Sequence, residues 1–300
     1  MQKITPFLWF NNQAEEAANF YVSLFKNSKV TNVTRYLGKE VEKVSGQKEG
    51  SIMTVAFELD ELVFSALNGG PIFTFNPSVS FAVACANEEE IDDLWAKLSP
   101  GGKVLMELKE YPFSKKFGWI QDKYGISWQL NIMESSQKII PYLAFVGKNF
   151  GKAEEAMKLY CSLFKDSKIL DVHRAGAGEP EPEGTISHAS FQLFGQQFMA
   201  LESSLQHQFT FNEAISFVVN CENQEEVDNY WNKLSEGGDE KAQQCGWLKD
   251  KYGLSWQIVP TILFKLIADP DRQKAERVTN AMLQMKKLDI KTLQAAADQK

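Results

Sequence analysis

Histidine is scarce in this 300-residue chain: His173, His188 and His207 are the only three, and all lie in its second half. The first half therefore cannot build a histidine-based metal or acid–base centre. Cysteine is nearly as rare. Cys85, Cys161, Cys221 and Cys245 form no CxxC pair and no dense framework, which excludes a disulfide scaffold and points to free thiols in a reducing cytoplasm. Cys85 and Cys221 fall at equivalent places in apolar strands and read as small hydrophobes. No apolar run approaches membrane-spanning length, and the first six residues lead into a strand-like segment rather than a signal peptide, so neither a membrane partner nor export is expected. An excess of basic residues is missing too: 32 Lys and Arg against 39 Asp and Glu leave a formal charge of −7, which argues against nucleic acid as a partner. GxSxG, paired Cys–His and HExxH patterns are absent, so a hydrolase would lack its nucleophile or its zinc pair. Gly176-Ala177-Gly178 runs into Glu-Pro-Glu-Pro rather than a helix start and cannot cradle a phosphate.

What the chain does contain, it contains twice. Residues 16–33 (EAANFYVSLFKNSKVTNV) return as 155–172 (EAMKLYCSLFKDSKILDV), Phe73-Thr74-Phe75-Asn76 returns as Phe209-Thr210-Phe211-Asn212, and GWIQDKYGISWQ (118–129) returns as residues 246–257. The offset, roughly 135 residues, is the size of a whole domain. The chain therefore divides into a first domain at 1–136, a second at 137–260 and a helical tail at 261–300.

Each copy opens with a short apolar strand, Ile4 to Phe10 or Ile139 to Phe145, and an amphipathic helix follows with Ala17, Phe20, Tyr21, Leu24 and Phe25 at helical spacing. Three strands come next, then the pattern restarts with Val79 to Cys85 and a helix opened by Asn87 and stopped by Gly101-Gly102. The order strand, helix, three strands predicts four such units in an α+β fold. The copies differ at their loops: a charged segment at 39–50 is replaced by AGAGEPEPEG at 175–184, and the arm at 103–116 shrinks to 239–244, predicting a hairpin reduced to a turn. Asp269-Pro270 predicts a helix start, with Val278, Met282, Met285 and Leu288 as its apolar stripe and a second short helix from Asp289 to Ala297.

The paired strand–helix–three-strand units, together with TPFLWF (5–10), EEAANFY (15–21), ALNGG (66–70) and the two GW…DKYG…SWQ segments, resemble the vicinal-oxygen-chelate superfamily of glyoxalase and bleomycin-resistance proteins. The similarity is greatest to its PhnB-like branch, often labelled demethylubiquinone methyltransferase-like. The resemblance implies two domains, each a cupped eight-stranded mixed sheet, the second with its shortened hairpin, and a small-molecule ligand. Better-known members hold a divalent ion in the cup. The corresponding places fall near Thr5, Ser65, Ser80 and Gln129 in the first copy and Ile140, Met199, Ser216 and Gln257 in the second. These side chains lack the imidazoles and carboxylates of a tight divalent site, so a binding protein without the metal, and with no cofactor, is expected. Two alternatives remain: a divalent-metal-dependent lyase, isomerase or dioxygenase, and a pseudo-dimeric interaction module. Methyltransferase activity is disfavoured, since a glycine-rich strand-to-helix turn within an alternating parallel sheet is not evident.

Candidate ligand-binding residues are Trp9, Phe64, Asn68, Phe75, Trp128, Gln129 and Trp256. His188, Glu202 and Gln257 form the one polar trio that suggests catalysis. Asp122 and Asp250 sit in Asp-Lys-Tyr-Gly turns and read as ties within their own turns. Fusion would supply internally the contact that single-domain relatives obtain by dimerising, so an intramolecular pseudo-dimer, monomeric or homodimeric, is expected.

Overall fold

The computed structural model describes residues 2–36 and 46–299. Residues 37–45, which include most of the charged loop expected at 39–50, lie outside them. The four expected units are present. Unit one holds β1 (Ile4–Phe10), α1 (Ala14–Leu24), β2 (Lys29–Arg35), β3 (Ile52–Leu59) and β4 (Leu62–Asn68). Unit two holds β5 (Val79–Cys85), α2 (Glu88–Leu98), β6 (Lys103–Tyr111), β7 (Ser114–Gln121) and β8 (Ser127–Ile132). Unit three holds β9 (Ile139–Val146), α3 (Ala153–Leu163), β10 (Lys168–Arg174), β11 (Ile186–Leu193) and β12 (Gln196–Ser203). In unit four, β13 (Ile215–Cys221) and α4 (Gln224–Ser235) lead to only two strands, a three-residue β14 (Trp247–Lys249) and β15 (Ser255–Pro260), so the expected loss of a hairpin is seen.

The helices start for two different reasons. α2 and α4 carry their own boxes: Asn87 Oδ1 accepts the Glu90 N–H while Glu90 accepts the Ala86 N–H, and Asn223 and Glu226 repeat the arrangement. α1 and α3 have no side-chain cap of their own, and their first N–H groups are met from a neighbouring strand. Asn68 accepts the Ala14 N–H and Glu202 accepts the Ala153 N–H, each at 2.9 Å.

The two mixed sheets do not follow the repeats. One runs β14-β15-β13-β1-β4-β3-β2 and the other β10-β11-β12-β9-β5-β8-β7-β6. Units one and four therefore share the first sheet, and units two and three share the second. Antiparallel pairing of β1 with β13 and of β5 with β9 forms the seams. This corrects the expectation of one cup per repeat: each repeat donates half of each sheet. The physical reason is that β1 and β5 each have one side free for a strand from the other copy, so the two seams pair four strand edges that would otherwise be exposed. The FTFN segments mark the same pseudo-two-fold relation, since Asn76 Nδ2 donates to Thr210 O and Asn212 Nδ2 to Thr74 O.

Strand alternation sends one face of each sheet to the main core. Leu8, Phe64, Phe81, Trp128, Phe145, Phe198, Phe217 and Trp256 meet the helices there. Asp122 and Asp250 act as hubs in this layer. Asp122 accepts the Tyr124 and Ile126 N–H groups, the Tyr21 hydroxyl at 2.7 Å and the Trp128 indole at 2.9 Å. Asp250 repeats the set with Tyr252, Leu254, Tyr160 and Trp256. Tyr21 lies in unit one and Asp122 in unit two, so each hub ties one sheet's helix layer to the other sheet. The expectation that these aspartates organise their own turns holds, and the structure adds the cross-link.

The tail forms three helices, one more than expected: α5 (Thr261–Ile267) directly after β15, α6 (Arg272–Leu283) and α7 (Ile290–Asp298). Met285 and Leu288 lie beyond the end of α6, yet Leu288 is fully buried with Val218, Val259, Leu263, Val278 and Leu293. Val218 and Val259 point away from the main core, so the tail packs on the concave face of the first sheet. Its connection 283–286 also bonds to 244–246, through Cys245 N–H to Met285 O and Gly246 N–H to Lys286 O, beside the strand that lost its hairpin.

Candidate functional site

The two concave faces start from the same floor and end differently. In the first cup Gln257 donates to Ser216 at 3.0 Å; in the second Gln129 donates to Ser80 at 2.8 Å. Because the sheets cross the repeats, the metal-ligand places regroup as Thr5, Ser65, Ser216 and Gln257 in one cup and Ile140, Met199, Ser80 and Gln129 in the other. The first set is three hydroxyls and an amide, the second one hydroxyl, an amide, a thioether and an alkyl group, and in each the amide and one hydroxyl are bonded to each other. Such a donor set does not fit a divalent cation. No group of three or more His, Cys, Asp or Glu arranged for a metal is found among the described residues.

An aromatic cluster occupies the first cup. Trp9 packs edge-on against Phe73 at 5.0 Å and Trp247 at 5.9 Å, Phe7 meets Trp247 at 5.5 Å, and the Trp9 indole donates to Gly70 O. Room for the indole depends on Gly69, where a Cβ would come within 2.2 Å of the ring. The tail helices cover the β1, β13 and β15 side of the same face.

The second cup is open because two of these residues change together. Aligning Pro6-Phe7-Leu8-Trp9 with Pro141-Tyr142-Leu143-Ala144 puts Ala144 where Trp9 stands, and aligning Ala66-Leu67-Asn68-Gly69 with Ala200-Leu201-Glu202-Ser203 puts Ser203 where Gly69 stands. The vacated volume is a cavity of about 240 Å³ lined by Trp119, Ala144, Val146, Leu201, Leu205 and Phe209, with Glu181, Ser203 and His207 at its polar side. Ser203, which is buried, donates to Glu181 Oε1 at 2.7 Å. Glu181 Oε2 accepts the Ser204 N–H at 2.8 Å, and His207 Nε2 lies 3.1 Å from the Ser203 hydroxyl. Since that hydroxyl proton is committed to the carboxylate, His207 Nε2 is the donor to Ser203. Burial pushes the Glu181 carboxyl up, but the hydrogen bonds from Ser203 and Ser204 and the His207 charge outweigh it and hold the group below its ordinary range.

Further along the same face His188 Nδ1 is 2.9 Å from the Tyr142 hydroxyl, and His173 sits opposite on β10 with its Nε2 2.7 Å from Asp171. Burial, reinforced by His173 and opposed by Asp171, lowers the pKa of His188.

The structure separates the expected site residues. Gln129 and His188 lie on the open concave face; Gln257 lies on the covered one. Glu202 faces the helices with both oxygens engaged, Oε1 by Ala153 N–H and Oε2 by Ile186 N–H at 3.0 Å, so the His188–Glu202–Gln257 trio is not assembled. Asn68 holds the start of α1 in the same way. Phe64, Trp128 and Trp256 belong to the main core because their strand neighbours take the concave side, and Phe75 packs on Phe10 at 5.0 Å beneath Gly125. Trp9 does face its cup, as a filler rather than a wall. Trp119, Ala144, Glu181, Ser203, His207 and Phe209 were not anticipated; subtracting one copy from the other at the Trp9 and Gly69 positions would have pointed to them.

A larger cleft, about 540 Å³, opens on the helix side between the end of α1 and the start of α2. Its lining mixes Lys26 and Lys138 with Asp60, Glu89, Glu90 and Asp93, and Lys138 is already paired with Glu90 and Ala84 O. Leu24, Phe25 and Leu94 also line it, but they are interleaved with these solvated charges, so it lacks the predominantly apolar wall that excludes water from a ligand. The glycines expected to be missing from strand-to-helix turns do occur once: Gly147 and Gly151, both at positive φ, lie between β9 and α3. There the helix N-terminus is already taken by Glu202, so it offers no anion site.

Comparison with known proteins agrees with this architecture. Glyoxalase I from Zea mays superposes with a TM-score of 0.55 at 11% identity, covering 87% of this chain and 92% of that one, and so shares the fold. The PhnB protein from Bacillus cereus is 46% identical over 44% of this chain and 100% of its own, with a TM-score of 0.40; a Staphylococcus aureus protein is 33% identical over 45% and 98%, with a TM-score of 0.18. No curated protein matches. The model of the family described as 3-demethylubiquinone-9 3-methyltransferase matches twice, over residues 2–131 and 137–259. The chain belongs to that family, carrying two copies of its domain on a glyoxalase-like fold.

Proposed function

We propose that the protein binds a small organic molecule in the second cup, without the divalent ion used by better-known proteins of this fold. The observation that carries the reading is the paired exchange of Trp9 and Gly69 for Ala144 and Ser203. It leaves a largely apolar cavity with a few convergent polar groups in one cup and a solid aromatic plug in the other. At about 240 Å³ the space lies just below the usual range for drug-sized ligands, which favours a compact molecule of one or two rings. Coverage of the first cup by α5–α7 supports a single working site per chain.

Methyl transfer, named in the family's description, is not part of this reading. A nucleoside cofactor bound as in doubly wound folds needs a glycine-rich turn at the carboxyl end of a parallel strand and a free helix N-terminus. Here the one glycine-bearing turn precedes a helix already capped by a carboxylate. The test is a thermal-shift screen of small aromatic and aliphatic compounds, with and without Mn, Ni, Zn and Mg, since a compound that binds only the folded form raises its midpoint. Hits should be metal-independent and abolished by Ala144→Trp. A stoichiometric ion whose removal by chelator eliminates binding would refute the proposal.

A further inference from the structure

Resting on the second-cup reading, we infer that the ligand class is an organic cation: an aromatic or alicyclic amine whose ring enters the apolar cavity while its ammonium group meets Glu181. Among the described residues the cavity lining contains one acidic group in contact with buried polar partners, Glu181, and no lysine or arginine. Trp119 and Phe209 line the space, and aromatic rings attract a cation as well as apolar carbon. Glu202 also borders the space, but both of its oxygens are committed to backbone N–H groups on the helix side.

Glu181 is built in rather than adrift. Ser203 and the Ser204 N–H each take one of its oxygens, and Ser203 is itself buried and fixed by His207. The Ser204 side chain also bonds to Glu181, and a carboxylate, with about four lone-pair sites, still has capacity for an incoming donor. An anionic ligand would meet that carboxylate with only His207, already bonded to Ser203, to offset the repulsion. A neutral alcohol would donate to the carboxylate with charge on one partner only, whereas an ammonium group gains a hydrogen bond in which both partners are charged. The AGAGEPEPEG segment, which could not serve as a phosphate loop, thereby acquires a role: it carries Glu181 to the mouth of the cup.

The experiment titrates the full chain with 2-phenylethylamine, 2-phenylethanol and 3-phenylpropanoate by isothermal calorimetry, comparing the wild type with Glu181→Gln and Ala144→Trp. The expected order is amine, alcohol, carboxylate, with the amine favoured over the alcohol by roughly fivefold or more and the preference weakening with added salt. Glu181→Gln should erase that preference, and a cooperative thermal melt reports that the variant is folded. An amine preference that survives Glu181→Gln, or a carboxylate that binds as well as the amine, overturns the ligand class while leaving the cavity reading intact. Binding of all three undiminished by Ala144→Trp, or binding of none, overturns both.

Discussion

Exchanging the two residues that distinguish the cups should exchange their character. In the first cup, Gly69→Ser places a side chain within the Trp9 ring, at a spot where a Cβ would be 2.2 Å from Cε2. Overpacking of this kind costs about 1–3 kcal/mol. Trp9 is itself half-buried and hydrogen-bonded to Gly70 O, so Trp9→Ala alone should cost about 2–3 kcal/mol, below the full-burial figure. Once the indole is gone the serine has room, so the double variant should be more stable than the sum of the two costs predicts, by about 1–3 kcal/mol. The mirror cycle runs in the second cup: Ala144→Trp introduces an indole at the position from which Trp9 fills its own cup, and Ser203→Gly should relieve its clash. Denaturant midpoints of the six variants and wild type, taken at constant m, give both coupling energies. Additive costs in both cycles would refute the reasoning, because they would mean that neither pair of positions shares space.

Three further outcomes follow from the same structure. Asp122→Ala and Asp250→Ala each strand four donors in the core, and at about 1–3 kcal/mol per unmet group each should lose about 4 kcal/mol or more, a large share of total stability; melting of both variants near the wild-type temperature would count against the hubs. His188 has a folded pKa below its unfolded value of about 6.5, so its contribution is present in full above that pH and is lost as pH falls through the lower folded value; a stability–pH profile of His188→Gln should be flatter than wild type there, and identical slopes would contradict the assignment. Leu288→Ala should cost about 2–4 kcal/mol and speed hydrogen exchange in β13 and β15 while leaving β9 and β12 protected; uniform exchange across both sheets would show that the tail does not act on the first cup alone.

Much of the architecture could be read from residues alone because duplication repeats local signals: the Asn87 and Asn223 boxes, the alternating strands and the shortened arm all announce themselves over a few positions. The assignment of strands to sheets could not, since the β1–β13 and β5–β9 seams depend on which copy supplies the neighbour, and no local pattern encodes that. Site reading failed where one residue type serves two purposes. Asn68 and Glu202 look like polar groups at a cup mouth, yet α1 and α3 lack their own caps and recruit them. Phe64 and Trp128 look like cavity walls, but strand parity is fixed by the core, and they fall on its side. The cavity itself is defined by what is small, Ala144, and a reading that searches for reactive side chains passes over an alanine.

The two seams also govern how such a duplicated gene can diverge. Neither copy owns a binding pocket outright, so each pocket is shaped by substitutions from both halves, and change accumulates along a shared surface rather than within a copy. The differences obey that rule: the indole plug from the first half and the missing hairpin from the second both fall on one sheet, while the vacant corner and the retained long arm, from opposite halves, fall on the other. Division of labour in this molecule runs across the fusion, not along it.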